Sequence, residues 1–493
     1  MQFSLVRYAP NHETMRMTHA DMYSRFAASD PAWNGRFFTG VLTTGIYCLS
    51  SCRARKPKPE NVRFFPSCEA ARQAGLRPCL KCHPDDFARG SDPVLETIET
   101  LVSEIRANPA GYEDARAIVR RSGFGTTRCF ELFRQHYHAT PADLLLRAKI
   151  DLARRLLAGS GSSLTHIAGE SGFESLSVFH AHFRGQNGLT PGAYRRLLKP
   201  GPFHIELPRG YCLAHLLRTL GRDPQSVTER LTGRVYQTSM DLDGVPAVAT
   251  MEFLATGATV SLDSSGTIGG AQRLAAHRKV AAILGLEQDP LAFARLARRL
   301  GIARLVAGRP GLRLSRTPGV LDGLLWCIIG QQINLPFACA LKRRLIENTG
   351  TALGGGFFSL PAPARIAAME PEDLRPWQFS MSKADYLIGV ARLVAGGKLD
   401  LEALQGMSAT RAERTLLAVR GLGPWSVNYL MMRALGFADC VPLGDTGVTS
   451  GLQMLFNLEE RPDADATLRL MSVFSPHRSL ATAHLWQLNQ PAP

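Results

Sequence analysis

Four cysteines, spaced Cys48-x3-Cys52-x26-Cys79-x2-Cys82, constrain this chain more than any other feature. Two close pairs separated by a loop can each clamp one side of a single ion, the arrangement a tetrahedral zinc site wants. Five of the ten cysteines fall within residues 48–82. Cys68 lies between the pairs and His83 adjoins Cys82, so either could substitute as a ligand. On spacing alone a structural zinc ribbon is the plain reading. The N-terminus, Met1-Gln2-Phe3-Ser4-Leu5-Val6-Arg7, has no basic region followed by an apolar stretch. No apolar run approaches the roughly 18 residues of a membrane span, and the best, Leu324 to Ile329, is a core-helix segment. The expected compartment is therefore the cytoplasm, where disulfides are rare.

At 493 residues the chain is long enough for three or four domains. Lys+Arg total 57 against 42 Asp+Glu, a net charge of +15. The excess is +6 over residues 1–90, +3 over 91–200 and +6 over 201–493. Such a spread points to several surfaces facing one long anion rather than to a basic tail. Nucleic acid is the expected partner. A membrane surface would want a basic amphipathic helix or a lipidation motif, and neither is present.

The residues around the cysteines carry more information than their spacing. Thr43-Thr44-Gly45-Ile46-Tyr47-Cys48 leads into Ser51-Cys52-Arg53-Ala54-Arg55. Then come Glu60 to Phe65 and Gly75-Leu76-Arg77-Pro78-Cys79. Over roughly residues 10–90 this resembles the N-terminal methylphosphotriester-transfer domain of the Ada adaptive-response regulators. The resemblance implies one zinc ion, both structural and thiolate-activating, on Cys48, Cys52, Cys79 and Cys82. It makes Cys48 the acceptor of a methyl group from an alkylated DNA phosphate. It also makes Thr44, Arg53, Arg55 and Arg77 the DNA contacts. The chemistry stands on its own, because a metal-bound thiol is held deprotonated and the thiolate is the nucleophile. Arg53, Arg55, Lys56 and Lys58 place four positive charges within six residues, suited to phosphates. Without that motif they would read as a solvated charged loop.

Residues 92–200 read as helical and carry an internal repeat. Gly123-Phe124, Phe133-Arg134 and Thr140-Pro141 recur about fifty residues later as Gly172-Phe173, Phe183-Arg184 and Thr190-Pro191. In each copy a Gly-Phe turn precedes a helix, and Thr-Pro starts the next one. Two such units can set two recognition helices about one duplex turn apart. The segment resembles the AraC-type DNA-binding domain with its paired helix-turn-helix motifs. Helices Thr126–Tyr137 and Leu176–Gly185 are then the groove readers, with Arg128 and His180 as contacts. Phe130, Phe133, Phe179 and Phe183 are expected in the core.

Lys199-Pro200-Gly201-Pro202 breaks the helical pattern. Strand-like alternation follows at 203–207, 233–238, 245–254 and 258–262, with helices at 210–220 and 271–284. The expectation is an α+β layer of four or five antiparallel strands over residues 201–290. From 291 the chain reads as helical to its end. Arg420-Gly421-Leu422-Gly423-Pro424-Trp425 puts a glycine turn before a helix, a place where backbone N–H groups can meet a phosphate. Val441-Pro442-Leu443-Gly444-Asp445-Thr446 places Asp445 in an apolar segment, where an unpaired carboxylate is costly. An N-cap role is the plain reading of Asp445.

Together these two elements resemble the helix-hairpin-helix glycosylase superfamily, and residues 201–493 most resemble 3-methyladenine DNA glycosylase II. The resemblance makes Gly421 and Gly423 the backbone grip and Asp445 the catalytic carboxylate. Trp425, Tyr429 and Trp486 become the base pocket. Strand-cleaving relatives carry a lysine where this chain has Trp425, so a monofunctional glycosylase follows. An alkylated purine is cationic and a good leaving group. Asp445 would oppose the charge of the oxocarbenium-like sugar once the base is flipped, and stacking would hold the base. Gln332 stands where the nearest family places an apolar wedge, and Gln487 replaces a pocket aromatic.

The expected organisation is multidomain. A small zinc α+β domain spans 1–90, and an all-α AraC-type double helix-turn-helix domain spans 91–200. An α+β antiparallel-sheet domain spans 201–290, and an all-α helix-hairpin-helix glycosylase domain spans 291–493. The reading is a bacterial, nucleoid-associated activator that repairs methylphosphotriesters and excises alkylated bases from double-stranded DNA. Its other partner would be RNA polymerase. No Pro-Cys-His-Arg motif occurs, so a guanine-O6 methyltransferase domain is not expected. The alternative is a DNA-binding regulator with a structural zinc site and a silent glycosylase-like half.

Overall fold

The computed structural model describes residues 17–30, 33–52, 54–90 and 92–488, so Met1–Arg7 and Arg53 lie outside the described residues. The chain divides into two compact units, Met1–Leu101 and Val102–Pro493.

In the first unit, helix α1 (His19–Ala27) starts at a capping box between Thr18 and Asp21. Strands β1 (Phe38–Val41), β2 (Ile46–Cys48), β3 (Val62–Phe65) and β4 (Arg77–Pro78) form a sheet of order β3-β1-β2-β4. Helix α2 (Cys68–Gln73) packs on it and α3 (Pro84–Ala88) follows, while α4 (Pro93–Ala107) runs from the first unit into the second. The β1 residues are all buried, and Gly40 among them has a packing reason. A Cβ there would lie 2.5 Å from Leu76 Cδ1 and 2.6 Å from Phe65 Cε2. Strand β4 runs parallel to β2 with Tyr47 opposite Pro78, and the Cys79 N–H donates to the Tyr47 carbonyl (3.0 Å). This pairing sets Cys79 beside Cys48.

The second unit begins with the two helix-turn-helix repeats. Helices α5 (Ala115–Ser122) and α6 (Thr126–Tyr137) form the first, and α8 (Leu164–Glu170) and α9 (Leu176–Asn187) the second. The long helix α7 (Pro141–Gly159) lies between them in sequence, and α10 (Pro191–Arg196) closes the segment. The turn glycines Gly123 and Gly172 both adopt the left-handed conformation (φ 72° and 79°), which a side chain would strain. Phe133, Phe179 and Phe183 are fully buried. Phe130 is only half-buried, because helix α6 turns it toward the edge of its apolar stripe.

Strands β5 (Phe203–Glu206), β6 (Glu229–Thr232), β7 (Val235–Leu242), β8 (Val245–Phe253) and β9 (Gly257–Asp263) make an antiparallel sheet of order β5-β9-β8-β7-β6. Helices α11 (Leu213–Leu220) and α12 (Gly270–Ile283) accompany it. Strand β6 has no counterpart in the sequence reading. It is a short edge strand with no buried residue, so it carries no apolar alternation to detect. The sheet and the second helix-turn-helix share one core. Phe183 packs edge-on to Tyr194 (5.3 Å), Tyr194 packs edge-on to His277 (5.2 Å), and His277 Nε2 meets the Asn187 carbonyl (2.8 Å). Buried Arg273 donates to the carbonyls of Leu197 and Gly201, which ties down the Lys199–Pro202 connection.

The remainder is a helical array: α13 (Pro290–Arg299), α14 (Val320–Ile329), α15 (Leu335–Thr349), α16 (Pro363–Ala367), α17 (Met381–Ala395), α18 (Ala403–Gly406), α19 (Ala409–Leu417), α20 (Pro424–Leu430), α21 (Thr446–Phe456), α22 (Ala464–Ser472) and α23 (Arg478–Leu488). It is not purely helical. Strands β10 (Ala352–Gly354) and β11 (Phe357–Phe358) form a small hairpin, turned by Gly354, Gly355 and Gly356, all at positive φ. No described helix is long and apolar enough to cross a membrane.

Because one core serves the second helix-turn-helix and the sheet, Phe183→Ala should cost about 3–5 kcal/mol and weaken both. In urea unfolding followed by amide hydrogen exchange, protection of helix α9 and of strands β7 to β9 is expected to be lost together. Loss of protection in α9 alone would show that the segments fold independently.

Candidate functional site

In the first unit, the Sγ atoms of Cys48, Cys52, Cys79 and Cys82 lie within 4.8 Å of one another. A tetrahedral zinc thiolate centre needs S···S separations of about 3.8 Å. Cys48 ends β2, Cys79 follows β4, and the other two sit on the adjoining loops. The backbone supports sulfur charge: the Leu49 N–H points at Cys82 Sγ (3.3 Å) and the Lys81 N–H at Cys79 Sγ (3.4 Å). Hydrogen bonding with Cys52, Cys79 and Cys82, together with burial, pushes the Cys48 thiol up. The Cys79 thiol is pulled down by hydrogen bonds from Cys48 and Cys52. Four thiolates so close can coexist only around a cation, so this donor set fits zinc.

Neither alternative ligand joins them. Cys68 points away, with its Sγ 3.4 Å from the Pro84 carbonyl in the apolar layer of Tyr47 and Phe65. His83 adopts a left-handed backbone (φ 45°) and faces Asp86 (3.4 Å). Cys48 itself is 3% exposed, enclosed by Phe26, Val62 and its fellow cysteines. Thr44, Arg55 and Arg77 are exposed, and the Arg77 N–H donates to the Gly45 carbonyl (2.9 Å) next to Thr44. Lys56 lies over the Phe26 ring at 3.9 Å. Its ammonium is lowered by burial and partly held up by Cys52, Cys48 and Cys82.

In the second unit, a cleft of about 1860 Å³ collects Asp445, Trp425, Tyr429, Trp486, Gln332, Gly421 and Gly423 on its walls. Asp445 does two things at once. Its Oδ1 accepts from the Val448 N–H (2.9 Å) as N-cap of α21 and from Trp486 Nε1 (2.9 Å), while its Oδ2 accepts from Trp425 Nε1 (3.2 Å). Trp425 stacks on Tyr429 with ring centroids 5.2 Å apart, and Tyr429 meets Trp486 at 6.2 Å. Tyr429 is itself buried, so packing and lining coincide. Gly447 is required here, because a Cβ would sit 2.7 Å from Trp486 Cδ1.

On the facing wall, Gly421 adopts φ 94° with Tyr386 pressed against it, and Gly423 is the exposed N-cap of α20. Gln332 is exposed at positive φ (55°) in the loop between α14 and α15. Three lining residues had no assigned role in the sequence reading. Gln331 Nε2 donates to the Gly421 carbonyl (2.8 Å) and Ser426 Oγ (3.0 Å), so it braces the hairpin. Trp326 carries Arg222 over its ring at 4.9 Å inside the same cleft. An isolated arginine after α11 offers no motif; only the packing of the sheet segment onto the helical array brings it here. In the helix-turn-helix segment Arg128 is exposed and pairs with Glu131 (3.3 Å), and His180 is half-buried against Phe179.

Three families match this chain in order: residues 21–85 the "Metal binding domain of Ada", 118–197 a "Helix-turn-helix domain", and 325–476 the "HhH-GPD superfamily base excision DNA repair protein". It is thus a fusion of an Ada-type zinc domain and a helix-turn-helix domain with a helix-hairpin-helix base-excision fold. A DNA-3-methyladenine glycosylase of Bacillus subtilis is 34% identical over 207 residues, covering 41% of this chain and 68% of the relative. The chain belongs to the DNA-3-methyladenine glycosylase family. A Mycobacterium tuberculosis protein named "Probable bifunctional transcriptional activator/DNA repair enzyme AlkA" is 26% identical over 498 residues, covering 94% of this chain and 95% of that one. The solved 3-methyladenine DNA glycosylase of Archaeoglobus fulgidus shares the fold, with a TM-score of 0.51 at 21% identity. The match covers 58% of this chain and 97% of that one.

If Cys48, Cys52, Cys79 and Cys82 are the whole ligand set, Cys68→Ser and His83→Ala should each retain one zinc per chain by elemental analysis. Cys79→Ser should bind it at least about tenfold more weakly.

Proposed function

We propose that this protein removes alkylated bases from double-stranded DNA and accepts methyl groups from DNA phosphotriesters, the second event making it a transcriptional activator. In this reading residues 1–90 accept the methyl group, 91–200 bind promoter DNA, and 201–290 with 291–493 form the glycosylase. The observation that carries the glycosylase half is a carboxylate, Asp445, hydrogen-bonded by the indole N–H groups of two aromatics in a cleft that also holds the glycine hairpin.

Gly421 and Gly423 let the hairpin backbone approach a phosphate and supply N–H donors at the start of α20. Gln332 would enter the stack in place of the extruded nucleotide. The flipped base stacks among Trp425, Tyr429 and Trp486, and their π-faces favour a cationic purine. The two indole donors hold the Asp445 carboxylate aimed, so it is in place when positive charge develops on the sugar. Asp445 also orients the attacking water; the C–N bond breaks with its electron pair leaving on the base. Trp425 offers no amine, so no Schiff base forms and the strand stays intact.

In the first unit Cys48, Cys52, Cys79 and Cys82 would hold a zinc ion, which would keep their sulfurs as nucleophilic thiolates. The Cys48 sulfur attacks the methyl carbon of a phosphotriester. An S–C bond forms, the C–O bond breaks, and the electron pair returns the phosphate to a diester anion. Thr44, Arg53, Arg55 and Arg77 hold the flanking phosphates. No group in the chain reverses a thioether, so each molecule turns over once. Methylation removes one negative charge facing DNA, worth on the order of 2–3 kcal/mol at about 6 Å and an effective dielectric of about 20. The tightened complex then recruits RNA polymerase to the promoter.

Asp445→Asn removes charge and little volume, so it should lower single-turnover base release from methylated duplex DNA at least about a hundredfold while leaving the DNA dissociation constant unchanged. Rates within a few-fold of the parent would remove Asp445 from the chemistry. After incubation with DNA carrying methylphosphotriesters, mass spectrometry should find one added methyl per chain, on Cys48. No methyl, or methyl elsewhere, would leave the zinc site structural.

A further inference from the structure

The loop from Gly436 to Asp445 carries the cleft carboxylate, and its root is a buried ion pair. Asp439, with a 6% exposed side chain, accepts from Arg478 through Nε (2.8 Å), Nη2 (2.9 Å) and the backbone N–H (3.1 Å), and from Ser475 Oγ (2.8 Å). Arg478 begins α23, the helix that brings Trp486 to Asp445. Next to it, Ser479 binds the loop backbone at Phe437 and Cys440, and Asn428 holds the Val441 N–H. Two supports of Asp445, its loop and Trp486, therefore start at the Asp439–Arg478 pair.

That pair is capped from the helix-turn-helix segment. His138, the left-handed C-cap of α6 (φ 52°), accepts the Asp439 backbone N–H at its Nδ1 (3.1 Å) and lies edge-on to Phe437 (5.6 Å). Two residues earlier, buried His136 binds Thr410 Oγ1 (2.8 Å) at the start of α19, the helix leading into the hairpin glycines. Arg106 donates to the Gly406 carbonyl. A helix that the sequence marks as a DNA reader is thus fastened at its far end to the two segments that carry the glycosylase machinery.

We infer that the first helix-turn-helix is a built-in positioning element of the glycosylase, with His138 as the positioning residue that holds the root of the Asp445 loop. Burial pushes the His138 imidazole down to about 4, so near neutrality its Nδ1 lone pair stays free to accept. The inference rests on Asp445 acting as proposed above. Its consequence is that the helix-turn-helix and the cleft are energetically linked, and linkage is reciprocal.

The test is single-turnover base release and duplex binding by the full chain carrying His138→Gly or His138→Asn. Glycine suits the left-handed backbone but removes the acceptor, whereas asparagine tolerates that backbone and keeps an acceptor. The expected result is a roughly three- to thirtyfold slower release for His138→Gly, a dissociation constant within about twofold of the parent, and recovery of most of the rate in His138→Asn. An unchanged rate in His138→Gly, or an Asn variant as slow as Gly, would overturn the inference. Independently, ¹⁵N shifts of the parent protein should report His138 protonated on Nε2 alone; protonation on Nδ1 would also overturn it. A parent chain that releases no base overturns the glycosylase reading instead, and the two failures remain separable.

Discussion

Three N–H groups converge on the Asp445 carboxylate, and the geometry of the cleft follows from satisfying it. A carboxylate in an apolar segment must be hydrogen-bonded or neutralised. Here the donors come from α20 through Trp425, from α23 through Trp486, and from the first turn of α21. Satisfying that carboxylate therefore fixes three helices against one another, and the same two indoles that hold it line the cleft. Gly447 is part of this arrangement because nothing larger leaves room for Trp486 beside Asp445. The hairpin is braced separately, through Gln331, so the glycine turn and the carboxylate are set by different contacts.

The zinc centre obeys the same rule, with a cation in place of N–H donors. Four thiolates need a cation, and the parallel pairing of β2 with β4 brings the first and third cysteine together. Cys48 is almost wholly buried, whereas Arg55 and Arg77 are exposed.

Much of this was legible from local pattern. The cysteine spacing, the fifty-residue repeat and the Gly-x-Gly-Pro turn each impose a backbone requirement that few residues meet, so the sequence announces them. The N-cap and active-carboxylate readings of Asp445 looked like alternatives in the sequence, yet one oxygen serves the cap and both oxygens serve the indoles. Edge strand β6 escaped because it buries no residue, and the β10–β11 hairpin because strands of three and two residues are too short to show a period. Phe130 was assigned to the core on type alone, and its position at the margin of the helix stripe decides otherwise.

What the sequence determined by itself was the list of parts: which cysteines could share an ion, which helices repeat, and which glycines precede a helix. Tertiary structure decided which parts touch. Arg222 enters the cleft, Gln331 braces the hairpin, and His138 reaches the Asp439 backbone across about 300 residues. None of these contacts leaves a trace in local spacing, because each depends on how separate layers pack, and packing is set by the sum of many apolar contacts rather than by any one motif.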